Sequence, residues 1–325
     1  MTSTVDYQGY YAGVPVLVTG GAGFIGSHLA SRLLELGARV RIVDDLSSGF
    51  AANVPAGAAL TRASVLDDTA LRDAMRGCRV VFHQAALVSV PQSIEQPERC
   101  LEANILGTQR VLLAARDLGV SRVLFAASAA AYGNTPTLPS RETDRPDTWS
   151  PYAASKVTGE YLLQTFARCY GLSTLSLRYF NIFGPRQDPR SPYAAVISAF
   201  ADALLNGKNP RVFGDGLQTR DFTYIDNVVH ANLLGGSSST DFQGDVINIG
   251  TGIRTSLLDV LEHMAREFGM EPHRVYEPAR AGDIRDSVAD IGLARSRLQY
   301  EPLVGFAEGI RRTLAWFRGT TAPSR

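Results

Sequence analysis

Between residues 14 and 45 a β-branched run, a glycine-rich loop, a helical stretch and a second β-branched run follow one another without interruption. The loop reads TGGAGFIGSH (19–28), in which Gly21, Gly23 and Gly26 satisfy G-x-G-x-x-G. It leaves VPVLVTG (14–20) and enters SHLASRLLELG (27–37), whose apolar residues recur at helical spacing up to a glycine stop. Glycine there permits a tight turn, lets backbone amides approach a pyrophosphate, and allows strand and helix to pack closely. The helix N-terminus adds a partial positive charge for the phosphates. Gly20, Gly23, Phe24, Ile25 and Gly26 are therefore candidate contacts to a dinucleotide.

The same alternation continues. RVRIVDD (39–45), RVVFHQAA (79–86), RVLFAAS (122–128) and STLSLRYFN (173–181) read as buried strands, with helical patterns at 103–120 and 155–171. Strand and helix in turn imply right-handed crossovers and an α/β, Rossmann-type, doubly wound parallel sheet. After Asn181 the texture changes: proline and glycine crowd GPRQDPRSPY (184–193), and helices are expected at 194–206, 256–268 and 305–317. VINIG (246–250) reads as a strand that returns to the first sheet, and the polar GGSSSTDFQG (235–244) as a surface loop. The expected division is a dinucleotide-binding domain over 1–180 plus about 224–252, with a smaller interleaved substrate domain over 181–223 and 253–325.

Lys+Arg and Asp+Glu number 32 each, so no overall field draws the chain to nucleic acid or a membrane surface. Cys78, Cys100 and Cys169 are scattered without C-x-x-C, which points to reduced thiols in a cytoplasm and to no metal site. The first residues, MTSTVDYQGYYAG, lack the basic start and apolar run of a signal peptide, and no stretch approaches a membrane span.

Asp44 ends the second strand about 20 residues beyond the glycine loop, where a carboxylate accepts from ribose hydroxyls and repels a 2′-phosphate. With Asp45 beside it, NAD is expected rather than NADP. In SPYAASK (150–156), Tyr152 and Lys156 stand at i and i+4, on one helix face. An ammonium close to the phenol, with a cationic nicotinamide, is expected to lower the phenol's pKa from its usual value of about 10. Ser128 closes a strand, at the sheet end where open α/β sheets place their ligands.

With TGGAGFIG, Asp44, HQAA (83–86), NILGT (104–108), Ser128, YAASK, RYFNIFGPRQ (178–187), GDGLQTRDFTYIDNVV (214–229) and RAGDIRDSVAD (280–290), the chain resembles an extended short-chain dehydrogenase/reductase. It is most similar to the UDP-N-acetylglucosamine and UDP-glucuronate 4-epimerases of the UDP-galactose 4-epimerase group. The resemblance implies that Ser128 bonds the reacting 4-hydroxyl, Tyr152 is the acid/base, and Lys156 holds the nicotinamide ribose. It adds Ser64, Val65, Ala85, Ala86 and Asn104 to the NAD contacts, and Ser89 and Asn181 to the sugar–diphosphate site. It also implies Val196 and Phe213 beside the uracil, Arg220 and Arg280 on the diphosphate, Asp283 on the uridine ribose, and a homodimer through the helices near 100–117 and 152–170. His83 reads as a structural histidine, Asn104 as a residue that also fixes backbone, and Tyr10-Tyr11 as terminal packing. One departure concerns adenine, whose amine the family usually holds with an acid after the third strand: Ser64 stands there, and Asp67 or backbone would have to substitute.

FAASAAAYG (125–133) separates chemistries within the group. Dehydrating relatives carry Asp-Glu after the catalytic hydroxyl and decarboxylating ones a Glu, because those reactions need a further titratable group. Ala129 and Ala130 occupy these positions, which leaves reversible oxidation at C4. Ser287 stands where some galactose-only relatives carry a bulky tyrosine, and with Ala126, Ala127, Ala129 and Ala130 the resemblance implies room for an N-acetylhexosamine. Arg186 and Arg190, expected near the end of the sugar, tip the reading to UDP-glucuronate/UDP-galacturonate, with UDP-GlcNAc/UDP-GalNAc or UDP-Glc/UDP-Gal as alternatives. A net nucleotide-sugar dehydrogenase or reductase and a non-catalytic NAD-sensing protein are the readings from other classes.

Overall fold

In chain order the strands are β1 (Pro15–Thr19), β2 (Arg39–Asp44), β3 (Ala59–Arg62), β4 (Val80–His83), β5 (Arg122–Ser128), β6 (Ser173–Tyr179), β7 (Asn181–Phe183), β8 (Arg211–Phe213), β9 (Thr219–Arg220), β10 (Phe222–Tyr224), β11 (Gln243–Ile249), β12 (Thr255–Ser256) and β13 (Val275–Glu277). The helices are α1 (Gln8–Tyr11), α2 (Phe24–Glu35), α3 (Asp68–Met75), α4 (Val90–Glu95), α5 (Pro97–Leu101), α6 (Gly107–Asp117), α7 (Pro151–Tyr170), α8 (Val196–Leu205), α9 (Ile225–Ser237), α10 (Leu257–Phe268), α11 (Gly292–Leu298) and α12 (Phe306–Thr320). These come from a computed structural model that describes residues 7–188, 196–271, 273–279 and 284–320.

Seven strands form one parallel sheet in the order β11-β6-β5-β4-β1-β2-β3. Both faces are covered, so successive residues of one strand enter different cores. In β1, Val16 and Val18 join the side formed with α2 and α9, whereas Leu17 joins the side formed with α3 and α6. Strands buried on both faces read as continuous apolar runs rather than alternating ones. The order runs outward in both directions from the β1–β4 neighbours, and at such a switch point the loops diverge to leave a crevice above the C-terminal strand ends.

β11 returns to the sheet edge beside β6, as VINIG suggests, and is preceded by α9 on the sheet's α2 side. The segment 235–244 differs from the surface loop its polarity suggests. α9 continues to Ser237, Gly235 and Gly236 are buried, and Phe242 is fully buried. A Cβ on Gly235 would meet Leu175 and Leu124, and one on Gly236 would meet Tyr11 and Phe82, so these glycines are contact points between helix and sheet. Tyr11 is itself fully buried and donates to Leu233 O of α9.

After β6 the chain builds small two-stranded pairs, β7 with β10, β8 with β13 and β9 with β12. Buried Asp221, between β9 and β10, binds them to the main sheet. Its carboxylate accepts from the N–H groups of Thr251, Gly252 and Ala289 and from the Thr251 hydroxyl. The turn after β11 and the strand-like segment near 289 are thereby fixed beside Arg220.

Candidate active site

The glycine loop shows why the motif needs its glycines. A Cβ on Gly26 would lie 2.1 Å from Gly20 O, and one on Gly20, whose φ is +70°, would lie 2.6 Å from Ala85 N. α2 begins after Gly23 with no side-chain cap, so the amides of its first turn face the crevice without a protein acceptor from a capping group. Asp44 Oδ2 accepts from Ala22 N at 2.8 Å and Oδ1 from Leu46 N at 2.8 Å. A buried carboxylate thus holds the loop closed against the end of β2, and two oxygens with further lone pairs can also meet a ribose diol. Asp45 turns to its own loop and accepts from Ser47 N. A glycine cradle, an uncapped helix start and an adjacent acid suit a dinucleotide diphosphate and its adenosine ribose.

The adenine end is built differently. Ser64 Oγ accepts from Leu66 N, and Asp67, considered as a substitute acid, caps α3 by accepting from Ala70 N. Val65 is buried, and a Cβ on Gly107 would meet it at 2.8 Å. Ala85 N donates to Thr19 Oγ1, beside partly buried Ala86. Phe24 meets the His28 ring edge-on, and Ile25 is partly buried against the core.

Ser128, Tyr152 and Lys156 converge at the end of β5. Ser128 is the last strand residue and accepts from Ala130 N, which opens a short 3-10 turn at Ala129–Tyr132. Its hydroxyl also lies close enough to the Tyr152 phenol to favour the phenolate. α7 starts at Pro151 behind a Ser150 cap, and Tyr152 N donates to Ser93 Oγ of α4, which fixes the entry of the helix. Lys156 is buried; its Nζ donates to Ala126 O at 2.7 Å and lies 4.8 Å from the Phe125 ring centre and 5.8 Å from the Tyr152 ring centre. Burial brings the Lys156 ammonium down to about 8, partly opposed by Cys100 and by Glu160. Burial also holds the Tyr152 phenol above its ordinary value, opposed by the nearby Ser128 hydroxyl. Desolvation therefore outweighs the expected lowering of the phenol by Lys156 in the protein alone, and the cation of a bound nicotinamide becomes the charge that would favour the phenolate.

His83 is fully structural. Thr108 Oγ1 donates to Asn104 O, so it accepts from His83 Nε2–H, and Nδ1 accepts from Thr19. Burial pushes this imidazole down to about 3, which keeps it neutral. Asn104 lies in a π-turn (Glu102–Leu106), accepts from Leu87 N, and donates to Leu87 O and Ser155 Oγ. It ties the loop after β4 to α7. Ser93 and Ser155 escaped the sequence reading because nothing in their spacing separates them from ordinary helix serines.

Ser89 caps α4 by accepting from Gln92 N. Asn181 is exposed at the start of β7, Val196 begins α8, and Phe213 ends β8. Arg220 Nη1 donates to the carbonyls of Thr219 and Arg285, and Ser287 N donates to Thr219 O, which brings Arg220 and Ser287 together. Arg186 Nη1 donates to Ser31 Oγ on α2, and His28 Nε2 donates to the neighbouring Pro185 O. Arg190, Arg280 and Asp283 lie outside the described residues. Among the described residues no cluster of His, Cys, Asp and Glu has a metal-ligand arrangement, and no helix is long and apolar enough to cross a membrane.

The chain matches the model of the NAD dependent epimerase/dehydratase family over residues 16–250. A putative UDP-glucose 4-epimerase of Methanocaldococcus jannaschii is 37% identical over 305 residues, 93% of this chain and 98% of the relative. A UDP-glucuronate 4-epimerase of Thermodesulfobacterium geofontis is 32% identical over 324 residues, 95% of this chain and 96% of the relative. Among solved structures, a UDP-N-acetylglucosamine 4-epimerase from Methanobrevibacter ruminantium, in complex with UDP-N-acetylmuramic acid, superposes with a TM-score of 0.91 at 36% identity, covering 95% of this chain and all of that one. A matched family model that spans the glycine loop, Ser128, Tyr152 and Lys156 places the chain in the NAD dependent epimerase/dehydratase family, among relatives that are UDP-sugar 4-epimerases over nearly their whole length.

Proposed function

We propose that the chain is an NAD-dependent 4-epimerase of neutral UDP-hexoses, UDP-glucose/UDP-galactose and their 2-acetamido counterparts. The observation that carries this reading is the meeting of Ser128, Tyr152 and Lys156 at the end of β5 with alanine at 129 and 130. Bound NAD supplies the acceptor and donor of hydride. Tyr152, beside Ser128, moves the proton of the sugar 4-oxygen, and Ser128 orients that oxygen. Lys156, anchored on Ala126 O, places its ammonium beside the phenol and the ribose side of the crevice. With no acid at 129 or 130, nothing next to Ser128 can take a C5 proton or manage a C6 carboxylate.

The location of Arg186 supports a neutral sugar over the uronate that the sequence alone favours. One nitrogen of its guanidinium donates to Ser31 on the middle of α2, which favours a place beside that helix over one at the C6 end of the sugar. Ser287 and the alanines around Ser128 support room for a 2-acetamido group. Purified protein offered UDP-galactose, UDP-GalNAc and UDP-galacturonate separately is expected to convert the first two at least about tenfold more efficiently than the third, a difference of about 1.4 kcal/mol. Preference for the uronate overturns the substrate assignment, and stoichiometric build-up of reduced nicotinamide turns the reading to a dehydrogenase. A homodimer belongs to the same proposal: Leu101 and Leu106 beside α6 and Tyr161 on α7 are exposed apolar residues on adjacent helices. Sedimentation as a monomer at micromolar concentration removes it.

A further inference from the structure

Tyr152, Lys156 and Glu160 follow one another at four-residue steps on α7 and so form one row. The chemistry above uses the first two. Glu160, the third, is 3% exposed. Arg178 of β6 meets it with a two-pronged contact, Nε to Oε1 and Nη2 to Oε2, both at 2.8 Å. Arg178 stands level with Ala127 of β5 and Asn248 of β11, one step below the pairing of Ser128 with Tyr179. Its guanidinium also lies 4.7 Å from the centre of the Tyr132 ring, in the turn that Ser128 caps.

An ion pair this deeply buried contributes little to stability compared with well-packed apolar residues, because both charges lose their hydration. The two members nevertheless attach α7 to the sheet close to where Lys156 attaches to it through Ala126 O. The groups around Lys156 come from several elements: Tyr152 and Glu160 from α7, Cys100 from α5, His83 from β4, and the Phe125 ring from β5. Burial keeps the Tyr152 phenol and the Cys100 thiol protonated at neutral pH and His83 uncharged. Of these neighbours only Glu160 carries a negative charge.

We propose that Glu160, held by Arg178, is a positioning residue for the epimerase reaction: its carboxylate is the fixed counter-charge of Lys156, and its bond to β6 sets the height at which α7 delivers Lys156 and Tyr152 to Ser128. The inference rests on the assignment of Ser128, Tyr152 and Lys156 as the reacting set. Arg178 has a double task in it. It makes the buried carboxylate tolerable, and it keeps that carboxylate from collapsing onto the ammonium, so Lys156 stays free to bond Ala126 O and a ribose. The direction of the effect is fixed by sign: burial pulls Lys156 down to about 8 and Glu160 opposes it, so loss of the carboxylate lets the ammonium deprotonate at lower pH.

The test uses the NAD-loaded enzyme with UDP-galactose as probe and compares the parent with Glu160→Asp, Glu160→Gln and the double variant Glu160→Gln/Arg178→Gln. The double variant removes both charges and leaves two amides able to bond across the gap, so it stays folded where Glu160→Gln alone leaves a buried guanidinium unpaired. Glu160→Gln removes the carboxylate and keeps the guanidinium, so its kcat is expected to fall on the alkaline side about one pH unit earlier than the parent's, a several-fold greater loss at about pH 9 than at about pH 7; the double variant, which also removes the positive charge of Arg178, is expected to shift less. Glu160→Asp keeps the charge and shortens the arm; it is expected to lower kcat while leaving the alkaline limb in place. A folded Glu160→Gln variant with the parent's alkaline limb overturns the proposal, and so does a Glu160→Asp limb displaced by as much as that of Glu160→Gln. Should Glu160→Gln fail to melt cooperatively, a Glu160→Asp limb displaced by about one pH unit overturns the proposal, and one that stays in the parent's place while kcat falls supports it. Unimpaired turnover by Tyr152→Phe marks the different failure, that of the reacting set itself.

Discussion

Replacing Tyr152 with phenylalanine is expected to lower kcat by about 10²–10⁴-fold while the fold and NAD binding persist. In the proposed reaction this hydroxyl moves the proton of the sugar 4-oxygen, and among the described residues no neighbouring side chain can take over. Cys100 and His83 lie close, but burial keeps the thiol protonated and holds the imidazole near 3, engaged at both nitrogens. Ser128 has an ordinary alcohol and no base except Tyr152. The structural cost is small. Tyr152 enters α7 through its backbone bond to Ser93 and is not the partner that fixes Ser128, which keeps its bond from Ala130 N. Its ring remains as phenylalanine, so the melting temperature is expected to stay within about 2 °C, the equivalent of less than about 1 kcal/mol. Turnover of UDP-galactose, thermal unfolding and NAD titration on the same preparation check the three statements together. A kcat within tenfold of the parent would remove Tyr152 as the acid/base.

The parts of the site that were legible are those in which a short motif carries its own geometry. The glycine loop between β1 and α2, Asp44 at the end of β2, and the four-residue step from Tyr152 to Lys156 each depend on local chain direction, which sequence spacing reports well. What supports them was not legible, because its partners are far apart along the chain. Ser93 meets Tyr152 across 59 residues, Asn104 meets Ser155 across 51, and Asp221 reaches Ala289 across 68. A serine on a helix looks the same whether it faces water or a neighbouring amide. The ionic side chains are hard to place for a related reason. Arg186, read as a selective cation at the sugar, donates to Ser31 Oγ, while Arg178, inside an apolar strand, holds the buried Glu160. Polarity also misplaced the end of α9: GGSSST looks solvated, yet Gly235 and Gly236 are small because helix and sheet meet there, and Phe242 closes the core.

Gly26→Ala is expected to have the largest effect on cofactor binding of any single methyl added to the loop. The position lies within α2, where alanine is favoured over glycine by about 1 kcal/mol, so propensity alone would predict stabilisation. Contact decides otherwise. The new Cβ would stand 2.1 Å from Gly20 O, 2.8 Å from Gly20 C and 2.9 Å from Gly21 Cα, all backbone atoms that cannot rotate aside. Making room moves the Gly20 carbonyl, which also accepts from Gly23 N, and strains the bond from Gly20 N to Val43 O. The Ala22 amide held by Asp44 moves with them. The expected cost is about 1–3 kcal/mol of stability, as for other overpacked sites. NAD affinity is expected to fall by about a hundredfold or more, because the displaced amides belong to the loop proposed to cradle the pyrophosphate. Gly37→Ala separates the two causes. Gly37 has φ +80° with nothing nearer than Ala12 at 3.5 Å, so alanine there strains the backbone without touching the loop. It is expected to lower stability by about 1 kcal/mol and leave NAD affinity unchanged. Equal losses of affinity in the two variants, measured by calorimetric titration below the melting temperature of each, would show that Gly26 serves stability rather than the dinucleotide.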